Sequence, residues 1–336
     1  MREFGFRFKS KYGANAYLAA AMVSLSLVSA NPALALTDPQ AGDLVALPPN
    51  INIFLYYNAL GNAGTVTTTN GTNLDHTRLQ TDINIFRYVH TVSIGGSVGG
   101  AEMLLPYVGY LGEQKVGGAQ VAHRSGFGQP NFGLFFWPVN LPKTGTYYLL
   151  SGWLSPPISS FTKINNLTAP TLSSANNTLT ETIETGARTL LLGTPTTKNL
   201  AIEGFYDLSF FQSNPNYASV YQPTPAGRRV GPFDATFRQQ PTQELRAYLT
   251  YTFDPMIAAS TSLGFYQSFG GKQTLKIAHV PQIVDTGNRT NESQLRFYLT
   301  SFVTETVQAR LFVYYDVAAY GGPKQRVIGL RFAKAF

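Results

Sequence analysis

The strongest constraint on this chain is an alternation of apolar and polar residues with a period of two. Within residues 244–254, one face carries Leu245, Ala247, Leu249, Tyr251 and Phe253, and the other carries Glu244, Arg246, Tyr248, Thr250, Thr252 and Asp254. Residues 200–210, 295–300 and 308–317 repeat the pattern. A helix has a period of 3.6 and would scatter these residues around its axis. The pattern therefore predicts strands of about ten residues, the length of a tilted membrane-spanning strand.

A soluble β-sandwich also alternates, and alternation alone does not say which face meets lipid. Composition separates the two classes. Charged residues make up 13% of the chain and aromatic residues 13%, whereas soluble domains carry about 25% charged residues. No apolar run after residue 36 approaches the roughly 20 residues of a spanning helix. A closed barrel is the non-helical way to satisfy backbone groups in lipid, so we predict an all-β, antiparallel, up-and-down transmembrane barrel.

The first 35 residues have the organisation of a secretory signal peptide. Basic residues precede an apolar stretch over 14–30, and Ala33-Leu34-Ala35 supplies a small-x-small cleavage site. A retained membrane helix is the alternative. Loss of four basic residues and Glu3 lowers the net charge from +7 to +4, and no Lys/Arg cluster remains for nucleic acid. We predict a signal peptide at 1–35, a lead-in or small plug at 36–50, and a barrel at 51–336 in the bacterial outer membrane.

Eleven strands can be placed by alternation, but bacterial single-chain barrels have even strand numbers. A further strand at 181–192 restores an even count and the rhythm of short periplasmic turns and long outer loops. We therefore predict twelve strands, with ten or fourteen as alternatives. The predicted strands lie near 51–60, 78–94, 100–112, 129–139, 144–154, 181–192, 199–213, 242–254, 256–270, 292–305, 307–320 and 325–336.

The last predicted strand ends in Phe336, and Ile328, Leu330, Phe332 and Phe336 share one face. This arrangement resembles the C-terminal signal that outer-membrane assembly machinery recognises. Lys334 departs from it, because that position is usually apolar or aromatic, although a lysine at a barrel rim can extend to the interface. The expected partners are outer-membrane lipid and the assembly machinery.

Alternation also predicts which charged and aromatic side chains face the lumen. The charged set comprises Asp82, Glu203, Asp207, Glu244, Arg246, Arg296, Arg310, Asp316 and Arg331, and the aromatic set comprises Tyr248, Tyr298, Phe312 and Tyr314. The charges form either a constriction that selects solutes or a salt-bridged filling that supports the wall. The aromatic residues either line a path for apolar or aromatic solutes or fill space.

Signatures of an enzyme are absent from the sequence. The chain has no cysteine, and its four histidines show no two-His metal spacing. Gly-x-Ser-x-Gly and phosphate-binding loop motifs are also missing. His90, on a predicted lumen face, is the best candidate for a hydrolase, but a polar side chain facing water is the favoured explanation. We expect no catalytic residues, metal or cofactor.

Several segments resemble a family of bacterial outer-membrane proteins named for the MetA pathway of phenol degradation. Residues 38–49 with 53–57 are similar to its opening motif, and Ser125–Pro130 followed by Phe135–Trp137 is similar to its Gly-rich segment, with Gln129 where Asp is frequent. Residues 263–271 and 308–336 also match in character. The resemblance implies a barrel described as a transporter or channel, sometimes associated with breakdown of aromatic compounds.

Two functions follow as hypotheses. The first is a channel for passive uptake of small hydrophobic or aromatic molecules. The second is a structural or surface-interaction barrel with a closed lumen.

Overall fold

A computed structural model of the protein describes residues 38–161, 171–172, 177–223, 229–279, 283–286, 288–289 and 291–336. The predicted signal peptide at 1–35 lies outside the described residues. In the part that is described, no helix is long and apolar enough to cross a membrane.

Twelve long antiparallel strands form the main sheet. They are β1 (Asn52–Thr67), β2 (Leu79–Ile94), β3 (Ser97–Tyr110), β4 (Asn131–Leu141), β5 (Thr146–Ser155), β6 (Thr180–Leu192), β7 (Asn199–Phe211), β8 (Thr242–Asp254), β9 (Ala259–Gly270), β10 (Asn291–Phe302), β11 (Val307–Tyr320) and β12 (Gly322–Ala335).

Each strand pairs with its neighbours in the chain, and β1 pairs with β12 from Ile53↔Ala335 to Thr67↔Gly322, which closes the barrel. Closure removes the free sheet edges that lipid could not satisfy. The prediction of a closed twelve-strand barrel is confirmed. The strand inferred from the even-number rule at 181–192 is β6, one residue longer at its start.

The two ends of the barrel differ in the length of their connections. At the end that carries both barrel termini, the connections are short, as in the β2–β3 turn, where Gly95 and Gly96 both have positive φ. This is the periplasmic end by the general rule for bacterial barrels. Longer connections lie at the opposite end, except that Gly321 alone joins β11 to β12.

The long connections contain additional strands that alternation did not predict. Two further sheets form from Gln114–Val116, Ala119–His123 and Thr171–Leu172, and from Asn214–Pro223, Arg229–Gln239, Gln273–Ile277 and Ile283–Asp285. Tyr217, Phe237 and Leu275 are almost fully buried in the second of these sheets. The outer loops therefore have small cores of their own.

Solvent exposure identifies the face of each strand that meets lipid. On β8, Leu245 and Leu249 are 46% and 44% exposed, whereas Arg246 and Tyr248 are each 2% exposed. The apolar face therefore points outward and the polar face points into the lumen, the opposite of a soluble sandwich.

Two predictions of lumen-facing residues on β2 were wrong. Asp82 and His90 lie on the outer face, and Asp82 bonds to the outward-facing Asn58. The inner face of β2 instead carries the buried Ile83 and Val89. Alternation failed because this side of the lumen is partly apolar: the core cluster that includes Val89 packs against Val45, Ala46, Leu47 and Ile51 of the chain before β1.

Candidate functional site in the barrel lumen

The structure brings the predicted lumen candidates together inside one half of the barrel wall. Ten of the eleven are buried: Glu203, Asp207, Arg246, Tyr248, Arg296, Tyr298, Arg310, Tyr314, Asp316 and Arg331. The eleventh, Glu244, is partly buried. Phe312, also predicted to face inward, is 2% exposed. They lie on β7, β8, β10, β11 and β12, which are consecutive strands apart from β9.

The segment Asp38–Asn50 lies inside the lumen and contacts these side chains. Asp38 forms ion pairs with Arg246, whose Nε is 3.2 Å from Asp38 Oδ1, and with Arg296. The Tyr314 hydroxyl donates to the other oxygen of Asp38 at 3.3 Å. The Asp38 carboxylate thus offsets part of the charge of two buried arginines. Buried charges are tolerated when they are paired in this way.

Asp43 forms the second charged attachment of this segment. Its carboxylate lies 2.8 Å from Nη1 of Arg331, 3.4 Å from Nη1 of Arg310 and 3.9 Å from Nη1 of Arg87. Burial raises the pKa of Asp43, but the three guanidinium groups outweigh burial and lower the pKa from 3.8 to about 2. Asp43 is therefore ionised at neutral pH.

Hydrogen bonds from the barrel wall hold the backbone of the segment. Gly42 N–H donates to a carboxylate oxygen of Glu203 at 2.7 Å. The Tyr248 hydroxyl donates to the carbonyl oxygen of Pro39 at 2.9 Å, and Trp137 Nε1 donates to that of Leu44 at 3.0 Å. A buried segment without regular structure must form hydrogen bonds to other parts of the protein. The lumen wall supplies such partners for Pro39, Gly42 and Leu44.

Aromatic rings form a continuous layer beside the ion pairs. The rings of Tyr248 and Tyr298 pack edge to face at 5.6 Å between centroids, and those of Tyr298 and Tyr314 at 5.8 Å. The guanidinium of Arg296 lies 4.5 Å from the Tyr314 ring and 4.4 Å from that of Tyr266. These cation–π contacts stabilise the guanidinium group of Arg296, which is buried away from water.

Carboxylates on β7, β8 and β11 lie further toward the outer end. Arg246 Nη1 is 2.7 Å from Asp207 Oδ2, and Arg246 also pairs with Glu244. Asp316 bonds to amide donors instead, accepting from Gln294 Nε2 and from the backbone N–H of Gln325, each at 2.6 Å. The charged groups on this wall are thus mostly bonded to one another and to the Asp38–Asn50 segment.

Several lumen residues were missed by the sequence analysis. Arg87 and Glu102 bond at 2.6 Å across β2 and β3, and Arg188 pairs with Glu203 at 3.2 Å. Their strands alternate poorly because both faces mix polar and apolar residues. The acidic residues Asp38 and Asp43 were noticed only as part of a motif, since nothing local distinguishes a segment that enters a lumen from one that does not.

A cavity of about 630 Å³ lies between the segment and the periplasmic end. Its lining comes from the inner faces of β1, β2, β4, β5, β7 and β12 and from periplasmic turns, and includes Ile53, Leu55, Val89, Phe135, Trp137, Tyr147, Leu149 and Phe205. Arg310, Arg331 and Glu203 add a charged side where the segment is attached. Its volume and mainly apolar lining are those of a site for a small organic molecule.

The residues of the predicted assembly signal lie on the outer surface. Ile328, Leu330 and Phe332 are 52%, 46% and 45% exposed on β12, and Phe336 is 66% exposed just beyond it. The backbone N–H of Phe336 donates to Asn52 O at 2.9 Å. The last residue therefore continues the seam between β12 and β1.

This chain is similar to known proteins in family and in fold. The model of the family described as "Putative MetA-pathway of phenol degradation" matches residues 63–332. The solved structure of an outer-membrane channel from Pseudomonas putida F1 superposes with a TM-score of 0.71 at 18% identity, covering 89% of this chain and 100% of that one. The transport unit of the autotransporter AIDA-I from Escherichia coli gives a TM-score of 0.48 at 10% identity, with 98% and 99% coverage. A search of curated protein sequences returned no similar protein.

Proposed function

The chain belongs to the MetA-pathway phenol degradation family and is an outer-membrane β-barrel, and from that premise we propose that it is a channel for passive uptake of small hydrophobic or aromatic compounds and not an enzyme. The solved structure with the same fold is described as an outer-membrane channel. The family name supports an aromatic solute without identifying one.

The observation that carries the proposal is the cavity below the Asp38–Asn50 segment. Phe135, Trp137, Tyr147 and Phe205 place aromatic rings on its wall, and aliphatic side chains fill the spaces between them. Such a lining favours flat apolar molecules, because they gain dispersion contacts and lose little hydration on entry. Water and ions gain less from the same surface.

The Asp38–Asn50 segment acts in this proposal as the element that narrows the passage. It is attached by charges at two points, Asp38 and Asp43, and by apolar contacts that bury Leu44 completely. Such a segment can move if water or other charged groups replace its ion pairs. Charged groups that become hydrated no longer need a paired partner to offset the loss of water.

The test fills the cavity without touching the ion pairs. Val89 lines the cavity and is 6% exposed, so Val89→Trp should obstruct it. The matched control is Val313→Trp, because Val313 lies on the lipid face with 36% exposure. Liposome swelling in aromatic solutes should slow by at least about fivefold for the first variant and stay unchanged for the second. Equal swelling for both variants would refute passage through the cavity.

A structural barrel with a closed lumen is the second candidate, and the buried network around the segment favours it. Planar-bilayer conductance of the purified protein separates the two functions. A channel should conduct, and neutralising both attachment points, as Asp38→Asn with Asp43→Asn, should raise its conductance. A structural barrel should remain closed in the wild type and show no solute uptake.

A further inference from the structure

A polar cluster lies on the outer face of the barrel, where the neighbouring side chains meet lipid. Asn58 on β1 donates through its amide nitrogen to Asp82 Oδ1 at 2.8 Å and to Asn84 Oδ1 at 3.1 Å. Asn84 donates to the same oxygen of Asp82 at 3.2 Å, and Tyr56 O–H donates to Asn84. We call Asn58, Asp82 and Asn84 the outer polar cluster.

The cluster lies at the outer margin of the apolar belt, since the next outward-facing residues toward the outer loops, Gln80, Asn62 and Arg326, are polar. In the strand pairing, Asp82 stands opposite Leu60 and Asn58 stands opposite Leu330, while Phe86 follows Asn84 on the outer face of β2. These three apolar side chains are 47%, 46% and 39% exposed. Lipid tails in contact with them would also contact the cluster. Polar and charged groups on a lipid face are destabilising, and they mark functional surfaces in membrane proteins.

The hydrogen-bonding capacity of the cluster is not used up within the described part of the chain. Asp82 Oδ2 and Asn58 Oδ1 accept no hydrogen bond there, and the second amide hydrogen of Asn84 has no acceptor. Lipid tails supply neither donors nor acceptors. The cluster also does not mark an opening in the wall, because β1 and β2 pair without a gap from Asn52↔His90 to Ala63↔Leu79.

We propose that the outer polar cluster is the centre of an interface with a second copy of this chain. The cluster carries unused donors and unused acceptors side by side, so the same surface on another copy can satisfy it, as a two-fold interface requires. Gly109 on the outer face of β3 pairs with Asp82 of the cluster, and a small residue there lets two walls approach closely.

The position of the two-fold axis follows from the strand order. An axis along the membrane normal that passes beside β1 sets β2 of one copy against β12 of the other. Asp82 of one copy then faces the exposed Arg326 of the second copy, which lies on the outer face of β12 opposite Asn62. Each interface forms this ion pair twice, which supplies the charge partner that Asp82 lacks among the described residues of its own chain.

Because the chain contains no cysteine, a single introduced thiol reports the interface directly. Leu60→Cys places a thiol beside the cluster, and Ile202→Cys places one on β7, at the opposite wall, with nearly the same exposure, 47% against 45%. After oxidation in native outer membranes, Leu60→Cys should give a covalent dimer of this chain and Ile202→Cys should not. Heat-modifiable gel mobility measures the amount of folded barrel in both variants.

Charge reversal tests the pairing itself on the Leu60→Cys background. Asp82→Arg should reduce the crosslinked fraction by at least about fivefold, and adding Arg326→Asp should restore it. Crosslinking of Leu60→Cys to a different protein, equal crosslinking at both positions, or none at either would overturn the proposal. Folding failure of Asp82→Arg would leave the comparison of the two cysteine positions to decide it.

Discussion

Arg331 on the last strand donates a hydrogen bond of 2.8 Å to Asp43, in the segment that precedes the first strand. The two residues are 288 positions apart in sequence, yet they lie beside the seam where β12 closes onto β1. The same carboxylate faces Arg310 and Arg87. Docking of the segment and closure of the barrel therefore share one group of charges, and this gives several expected outcomes.

Replacing Asp43 with Asn should loosen the segment. Arg331, Arg310 and Arg87 would lose their shared anion, and removing one partner of a buried ion pair costs about 3 kcal/mol. We expect higher single-channel conductance in planar bilayers with an unchanged heat-modifiable band. The control is Glu113→Gln, because Glu113 is 43% exposed in an outer loop, where its pair with Lys115 contributes little. Unchanged conductance in Asp43→Asn would contradict the role given to Asp43.

The docking should also weaken in acid. The pKa of Asp43 is lowered to about 2 in the folded protein from an ordinary value of 3.8. A lowered pKa stabilises the docked state fully above pH 3.8 and loses that contribution as pH falls toward 2. When the pH on the periplasmic side is lowered from 4 to 2, conductance should therefore rise. This rise should be absent in Asp43→Asn. A rise of equal size in both proteins would assign it to other carboxylates.

Gly264 on β9 should tolerate no side chain. It stands opposite Tyr248, and a Cβ at Gly264 would clash with the Tyr248 ring. Gly264→Val should displace that ring, break its hydrogen bond to Pro39, and destabilise the barrel by about 1–3 kcal/mol. The urea midpoint of unfolding measures this. Gly152→Val is the control, since nothing lies within 4 Å of a Cβ there. Equal midpoints for the two variants would refute the packing argument.

Phe336→Ala should reduce assembly more than stability. The Phe336 side chain is 66% exposed, so its loss should change the free energy of unfolding by less than about 1 kcal/mol. If the assembly machinery reads this residue, the amount of folded barrel in the outer membrane should fall several-fold, and Phe336→Tyr should restore it. Normal membrane levels of Phe336→Ala would show that the terminal residue is not read.

Barrel class and strand number could be predicted because lipid imposes simple rules on a sequence. Strands β8 and β11 were placed to the residue, since their polar and apolar faces are cleanly separated. The position of β6 followed from the even-number rule rather than from its own pattern. The folded outer loops were missed, because their strands are short and pair with segments far away in sequence.

The amino-acid sequence by itself determined the alternation, and with it the wall, the outward apolar belt and the inward face of β7 to β12. Only the tertiary structure decided which partner each polar group binds. Asp38 and Asp43 lie in an irregular segment, and apart from Arg87 their arginines are supplied by strands more than 200 residues away. Asp82 faces outward because apolar residues before β1 pack against the inner face of β2. Local periodicity assigns a residue to a face, but long-range packing determines its partner.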